Sequence, residues 1–251
     1  MPTKENLEKA KDECAFVAGA TGYVGRAVVR LLAKNQVNVC AHIRPDSPEL
    51  KELRSEFEGI GANVDTSAWK HDDLVESFKE KNPRVVFCLI GTTKARMKEI
   101  EEQGGTAESE SYDKIDYGLT AMLVKAAQEA GITPRFVYLS ALGTKPSARS
   151  AYMQARYRAE GEVLASGLPY TIARPAIITG PDRREKRPLE KLGAKILDKI
   201  LSFAALLGLK KLQKIYASID STSLARALVS LAYNSNCENR VVEVHEIREL
   251  S

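Results

Sequence analysis

The stretch AYMQARYRAE, residues 151–160, sets Tyr152 and Arg156 four positions apart. On a helix, positions i and i+4 share a face, so this phenol and this guanidinium can reach one ligand. A free phenol ionises near pH 10 (about), and a fixed positive charge beside it favours the phenolate. The same spacing also describes an ordinary helix face, with Tyr152 half-buried and Arg156 solvated next to Glu160, its own i+4 neighbour.

A second chemical signal lies near the start of the chain. The apolar run CAFVA leads directly into GATGYVGRAVV, so Gly19, Gly22 and Gly25 fall between a strand and a helix. A dinucleotide-binding turn needs that placement. Gly19 permits the sharp turn, Gly22 lets the backbone approach a pyrophosphate, and Gly25 lets helix and strand pack closely. The helix amino end then faces the negative charge. Thr21, Tyr23 and Val24 share the turn and are placed against the nucleotide with the glycines.

The elements that must hold these groups follow from the hydrophobic pattern. CAFVA, VNVCAHI, ANVDT, RVVFCLI, RFVYLS and YTIA alternate with segments of helical period. Near-continuous apolar strands require burial on both faces, so the expected fold is α/β, a doubly wound parallel sheet of Rossmann type. In IDYGLTAMLVKAAQEAG, residues Ile115, Leu119, Met122, Leu123, Ala126 and Ala130 form one stripe, with Gly131 at the C-cap. Residues 94–113 are polar, contain Gly104 and Gly105, and predict a mobile loop. Beyond RPAIITGPDRREKRP come a long amphipathic segment from Leu189 to Lys214, a strand-like KIYASI, a helix from Ser221 to Tyr233 and a final strand, RVVEVHEI. One NAD(P)-binding domain spanning 1–251 is expected, its part at about 176–239 forming a small substrate lobe over the carboxyl edge of the sheet.

The 251 residues are 44% hydrophobic and 28% charged, with a formal net charge of +4 and no long basic tract, which gives no reason to expect nucleic acid. Cys14, Cys40, Cys88 and Cys237 are scattered without a CxxC pair, and His42, His71 and His245 lack ligand-like spacing, so no metal site is expected. The thiols suggest a reducing compartment, and the charged start MPTKENLEKAKDE lacks a continuous apolar segment, giving the expectation of a soluble cytoplasmic protein. The run Arg183, Arg184, Lys186, Arg187 reads as a solvated loop, and the Leu189–Lys214 segment as lobe or dimer packing, with contact to an anionic membrane surface as its alternative.

The end of the second strand bears on the nucleotide. An acid there accepts from a ribose 2′-hydroxyl, whereas an arginine favours a 2′-phosphate. Arg44 ends VNVCAHIR and can fork onto a phosphate, with Ser47 as a further donor, so NADP is favoured over NAD. Asp46 could serve a 2′-hydroxyl if the strand ended later, and a plain solvated Arg44 is the bland alternative.

Taken in order, GATGYVG, CLIGTTKAR, LSALG, YMQAR and RPAIITGP resemble the short-chain dehydrogenase/reductase superfamily in its atypical branch, closest to the Tat-interacting oxidoreductase group. The likeness runs from Cys14 to the last strand. It implies that Tyr152 is the acid or base at a substrate carbonyl and that Arg156 stands where active members carry a lysine on the nicotinamide ribose. Ser140 occupies the place of a serine that binds the substrate oxygen, and Ala141 replaces the second serine often found beside it. Gly91, Thr92 and Thr93 would line the nicotinamide ribose side, and Pro175 and Ala176 the carboxamide. The resemblance thus implies an NADP-dependent oxidoreductase acting on a small carbonyl or alcohol substrate. The YxxxR pattern keeps a second reading open, that of a weakly active or inactive NAD(P)H-binding regulator or assembly subunit with a protein partner or a second copy of itself.

Overall fold

In the computed structural model, residues 11, 13–102, 104–179 and 217–251 are described. The short apolar runs form strands β1 (Ala15–Ala18), β2 (Val39–His42), β3 (Asn63–Asp65), β4 (Val85–Cys88), β5 (Arg135–Leu139), β6 (Tyr170–Arg174) and β9 (Arg240–Glu243). They build one seven-stranded sheet in the order β3-β2-β1-β4-β5-β6-β9, every pairing parallel. A second, two-stranded sheet joins β7 (Ile178–Thr179) to β8 (Ile219–Asp220).

Parallel strands need crossovers, and here these are helices on both faces. Alternate residues of the central strands therefore feed two cores. Val17, Phe87 and Val137 enter one with Val28, Val29 and Leu32 of α1 (Tyr23–Lys34) and Leu224 and Leu228 of α7 (Ser221–Tyr233). Phe16, Val86, Phe136 and Tyr138 enter the other. There they meet Phe78 of α3 (His71–Lys81), Leu123 of α5 (Leu119–Glu129) and Val163 of α6 (Ala151–Ala165). Each such buried side chain contributes roughly 1.5–3 kcal/mol. The helix α2 (Leu50–Gly59) buries Leu53 and Phe57 beside β3.

The stripe expected on α5 packs on the second core, with Leu123 and Ala126 buried and Ile115, Leu119, Met122 and Ala130 partly so. Gly131 ends it at φ 71°, a conformation that lacks a steric penalty only without a Cβ. A π-helical turn, Asp113–Gly118, leads into α5. Helices α6 and α7 begin on side-chain caps: Ser150 accepts from the Met153 amide at 3.2 Å, and Asp220 accepts from the Thr222 and Ser223 amides at 2.9 Å.

Two expectations are corrected. Residues 94–113 are not a plain loop: Lys94–Glu102 form helix α4 and Ala107–Glu110 a 3₁₀ turn. KARMKEIEE is rich in strong helix formers and carries a Lys98–Glu102 ion pair at i,i+4, so it is helical without an apolar face to announce it. The final strand stops at Glu243, because Glu243 and Glu246 close a capping box that starts helix α8 (Val244–Glu249). The amphipathic Leu189–Lys214 segment, the basic run at 183–187 and most of the lobe expected at about 176–239 lie outside the described residues. No helix among the described residues is long and apolar enough to cross a membrane.

On β2, His42 is 2% exposed, meets Trp69 edge-to-face and hydrogen-bonds the Ser67 carbonyl at 2.9 Å. Burial holds its pKa below the ordinary 6.5. The folded state therefore releases this proton before the unfolded chain does, so its contribution is full above about pH 6.5 and is lost as pH falls through the lower folded value. Asp65 acts in the same direction: hydrogen bonds from Ser67 and Ser77 outweigh burial and lower its pKa. Urea unfolding should show stability falling from pH 7 to pH 5 (about), and His42→Asn should flatten that slope while lowering stability throughout. An unchanged slope in the variant would remove His42 as its source.

Candidate nucleotide site at the carboxyl edge of the sheet

The glycine turn closes β1 onto α1. Gly19 has φ 83°, and a Cβ there would lie 2.7 Å from the Leu89 carbonyl oxygen. A Cβ on Gly25 would lie 2.8 Å from the Gly19 carbonyl carbon and 2.9 Å from Ala20 Cα. Gly22 is the N-cap of α1 and brings no side chain to its first amides, and no acid stands in the first turn. The positive end of the helix is thus open to an anion. Around it, Arg26 Nε donates to the Thr21 carbonyl at 2.8 Å, Tyr23 donates to the Thr179 carbonyl at 3.2 Å, and Val24 is buried.

Arg44 follows β2 at the same edge. Its guanidinium lies 3.6 Å from Asp46 and 3.9 Å from Glu110. The Ser47 amide donates to the Arg44 carbonyl at 3.1 Å, and its hydroxyl accepts from the Glu49 amide at 3.4 Å. Arg44, Ser47 and the glycine turn are therefore neighbours at the ends of β1 and β2.

Beyond β4, Gly91 passes so close to Arg156 that a Cβ would collide with the guanidinium. Thr92 donates its amide to Asp116 Oδ2 at 3.0 Å, while its buried hydroxyl has no partner among the described residues. Pro175 is buried just past β6 and accepts from the Leu142 amide at 2.9 Å; Ala176 is partly exposed.

Helix α6 is the unexpected element. Its polar positions Arg156 and Glu160 are 5% and 2% exposed, so the face that spacing alone allows to be solvated is turned inward. Nor do the two pair with each other. Arg156 binds the Leu139 carbonyl at 2.5 Å, the Tyr138 hydroxyl at 3.2 Å and the Ile90 carbonyl at 3.1 Å. It also forms a 2.8 Å ion pair with Asp116. Both terminal nitrogens are thus spent on the ends of β4 and β5, and only Nε lacks a partner. Burial alone would lower the Arg156 pKa, but Tyr138, Tyr152 and Asp116 reverse this and hold it well above the ordinary value. Asp116 is fully buried, and burial outweighs the pull of Arg156, so its carboxyl lies above the usual range.

Tyr152, one turn before Arg156, is half-buried. Its ring centroid is 5.3 Å from the Arg156 guanidinium and 5.3 Å from the ring of Tyr112. Its hydroxyl has no hydrogen bond among the described residues. Ser140 is 4% exposed and donates to Glu160 at 2.5 Å, with Thr144 at 3.3 Å. Glu160 also holds Arg174 at 2.6 Å, and Arg174 reaches Glu243 at 3.0 Å. The Ser140 proton is therefore directed into the protein.

Asp116, Tyr138, Glu160 and Arg174 were not legible as site residues. Asp116 interrupts an apolar stripe, which is a signal for a buried acid, but no spacing ties it to Arg156. Among the described residues no group of three or more His, Cys, Asp or Glu side chains could hold a metal. A hollow of about 700 Å³ lined by Cys14, Cys40 and Lys81 lies at the opposite, amino-terminal edge. Burial pushes the Cys14 thiol there up to about 11, and open α/β sheets bind ligands at the other edge.

A glycine cradle at a helix amino end, on the carboxyl edge of a sheet ordered 3-2-1-4-5-6, defines a Rossmann-type dinucleotide-binding protein. The family model described as NAD(P)H-binding matches residues 19–200, and the chain belongs to that family. It is 32% identical over 173 residues to protein FMP52, mitochondrial, of Debaryomyces hansenii, covering 68% of this chain and 69% of that one. It is also 32% identical over 196 residues to protein TIC 62, chloroplastic, of Pisum sativum, covering 70% of this chain but 35% of that relative's length. Among solved structures, a short-chain dehydrogenase/reductase from Veillonella parvula in complex with NADP superposes with TM-score 0.58 at 14% identity, covering 91% of this chain and 92% of that one. UDP-glucose 4-epimerase from Brucella ovis in complex with NAD gives TM-score 0.61 at 16% identity, covering 94% and 80%. These likenesses bear out the resemblance read from the sequence and the Rossmann-type fold, and the family match makes the protein an NAD(P)H-binding one.

The cytoplasmic expectation is overturned. The relatives are named mitochondrial or chloroplastic and point to an organelle. Free cysteines register a reducing surrounding and carry no address.

Proposed function

We propose that this protein is an NADP(H)-dependent oxidoreductase acting on a carbonyl or alcohol, with Tyr152 as its acid–base group. One observation carries the reading: the Tyr152 ring stands 5.3 Å from a buried, permanently charged Arg156, at the same sheet edge as the glycine cradle. Gly19, Thr21, Gly22, Tyr23, Val24 and Gly25 would hold the pyrophosphate, and Arg44 and Ser47 the 2′-phosphate. Gly91 and Thr92, with its unpartnered buried hydroxyl, would line the nicotinamide ribose side, and Pro175 and Ala176 the carboxamide. When bound, the nucleotide supplies the hydride chemistry.

Arg156 then works through charge on the Tyr152 phenol, because its terminal nitrogens are already bonded within the protein. Ser140, its proton given to Glu160, offers lone pairs that suit an alcohol hydroxyl, leaving Tyr152 as the donor to a carbonyl. The region at about 176–239 would form the lobe that selects the substrate. The setting is a mitochondrion or plastid, on the relatives' names alone.

Tyr152→Phe is expected to lower NADPH consumption with a responsive carbonyl substrate by about 10²–10⁴-fold while nucleotide binding is retained. An unchanged rate would remove Tyr152 from the chemistry. The inward commitment of Arg156 and Ser140 favours a second reading, a nucleotide-bound regulator or assembly subunit that engages a protein partner or a second copy. In a complementation assay, an unaltered Tyr152→Phe phenotype selects that reading.

A further inference from the structure

Three charged side chains from separate stretches meet beside the nucleotide groove. Glu110, at the end of the 3₁₀ turn, presents one carboxylate oxygen to Arg44 at 3.9 Å and the other to Arg96 of α4 at 4.0 Å. Its side chain is 14% exposed. Both contacts are longer than the roughly 2.7–2.9 Å of a charge-assisted hydrogen bond. The other ion pairs of the two arginines are 3.6 Å from Arg44 to Asp46 and 3.4 Å from Arg96 to Glu99. Each guanidinium thus has a nearer carboxylate of its own, and the two share Glu110, which fits both loosely.

A phosphate monoester suits that space better than a carboxylate. It carries about −1.5 to −2 charges and three acceptor oxygens, and each planar guanidinium can fork onto two of them. We propose that Arg44 and Arg96 form a two-guanidinium clamp for the 2′-phosphate of NADP(H), and that Glu110 is its internal counter-ion, displaced when the phosphate binds. The inference rests on the reading that Arg44 faces the adenosine end of the nucleotide. It adds Arg96 as a determinant of specificity, and it assigns Glu110 to keep the arginines compensated while the clamp is empty. The 2′-hydroxyl of NAD(H) is neutral and leaves Glu110 in place.

Calorimetric titration of the full chain with NADPH and NADH tests this. Arg96→Ala is expected to weaken NADPH binding about fivefold to tenfold and to change NADH binding less than about twofold. Glu110→Gln, by removing the competing charge, is expected to tighten NADPH binding about fivefold with NADH nearly unchanged. The same ratios are expected for 2′,5′-ADP against 5′-AMP, which differ only in the 2′-phosphate and carry no nicotinamide. Weaker NADPH binding in Glu110→Gln, or equal effects of Arg96→Ala on both nucleotides, overturns the clamp. If Arg44→Ala alone discriminates between them, the NADP reading stands and the clamp falls. If the wild type binds neither nucleotide, the reading beneath it falls. Thermal unfolding of each apo variant checks folding, and Arg96→Gln provides an independent arm should Glu110→Gln not fold.

Discussion

Gly25→Ala is expected to weaken NADPH binding by about 10²-fold or more and to destabilise the fold by about 1–3 kcal/mol. The new methyl would sit 2.8 Å from the Gly19 carbonyl carbon and 2.9 Å from Ala20 Cα. All the colliding atoms are backbone, so no side chain can rotate away. Relief requires α1 to move off the turn, and that movement takes the helix amino end from the place where an anion would meet it. Two controls sharpen the result. Gly59→Ala, where nothing lies within 4 Å, should bind nucleotide normally. Gly22→Ala keeps an allowed backbone at φ −73° and ψ 165° and crowds only the Gly19 carbonyl oxygen, at 3.2 Å, so it should cost less stability than Gly25→Ala yet still obstruct the pyrophosphate. Nicotinamide fluorescence titration and urea unfolding measure the two effects. Wild-type affinity in Gly25→Ala would mean that the turn does not cradle the nucleotide.

The second large effect concerns the buried pair. Asp116→Ala leaves the Arg156 charge enclosed by Tyr138, Ile90 and Leu139 without its carboxylate, and is expected to cost about 3–5 kcal/mol. Arg156→Met should cost less, because the orphaned Asp116 can take up a proton. Its carboxyl already lies above the usual range through burial, and losing Arg156 raises it further. A carboxyl with a raised folded pKa binds more protons folded than unfolded, so stability falls as pH rises through that value. Relative to the wild type, Arg156→Met should therefore gain stability as the solution is acidified, whereas Asp116→Ala should show no such gain. Denaturant midpoints across pH measure this, and parallel curves for the two variants would show that Asp116 and Arg156 do not compensate each other.

Much of the fold was legible in the sequence because its signals are local. A strand buried on both faces must be apolar throughout, and β1, β2 and β4 are buried at every position. The helix from Ser221 to Tyr233 was equally legible, from a helical pattern that begins just after Asp220. Where local signals conflicted, they misled. Helix α4 has the propensity but not the periodicity of a helix, and the Gly104-Gly105 pair that suggested a loop only ends it, with Gly104 at φ 85°. RVVEVHEI reads as a strand, and it is one up to the residue whose side chain caps the next helix.

By itself the sequence determined the parallel sheet, the glycine turn after its first strand, and the presence of a tyrosine and a cation one helical turn apart. Each is written in spacings of a few residues. Only the tertiary structure decided what that cation does. Arg156 meets Ile90 across 66 positions of chain and Tyr138 across 18, while Ser140 spends its proton on Glu160, 20 positions away. Such pairings are set by which strand ends lie side by side and by the cost of leaving a buried charge unmatched. No periodicity in the chain encodes them, so Arg156 and Glu160, polar in the sequence, become interior once the sheet has formed.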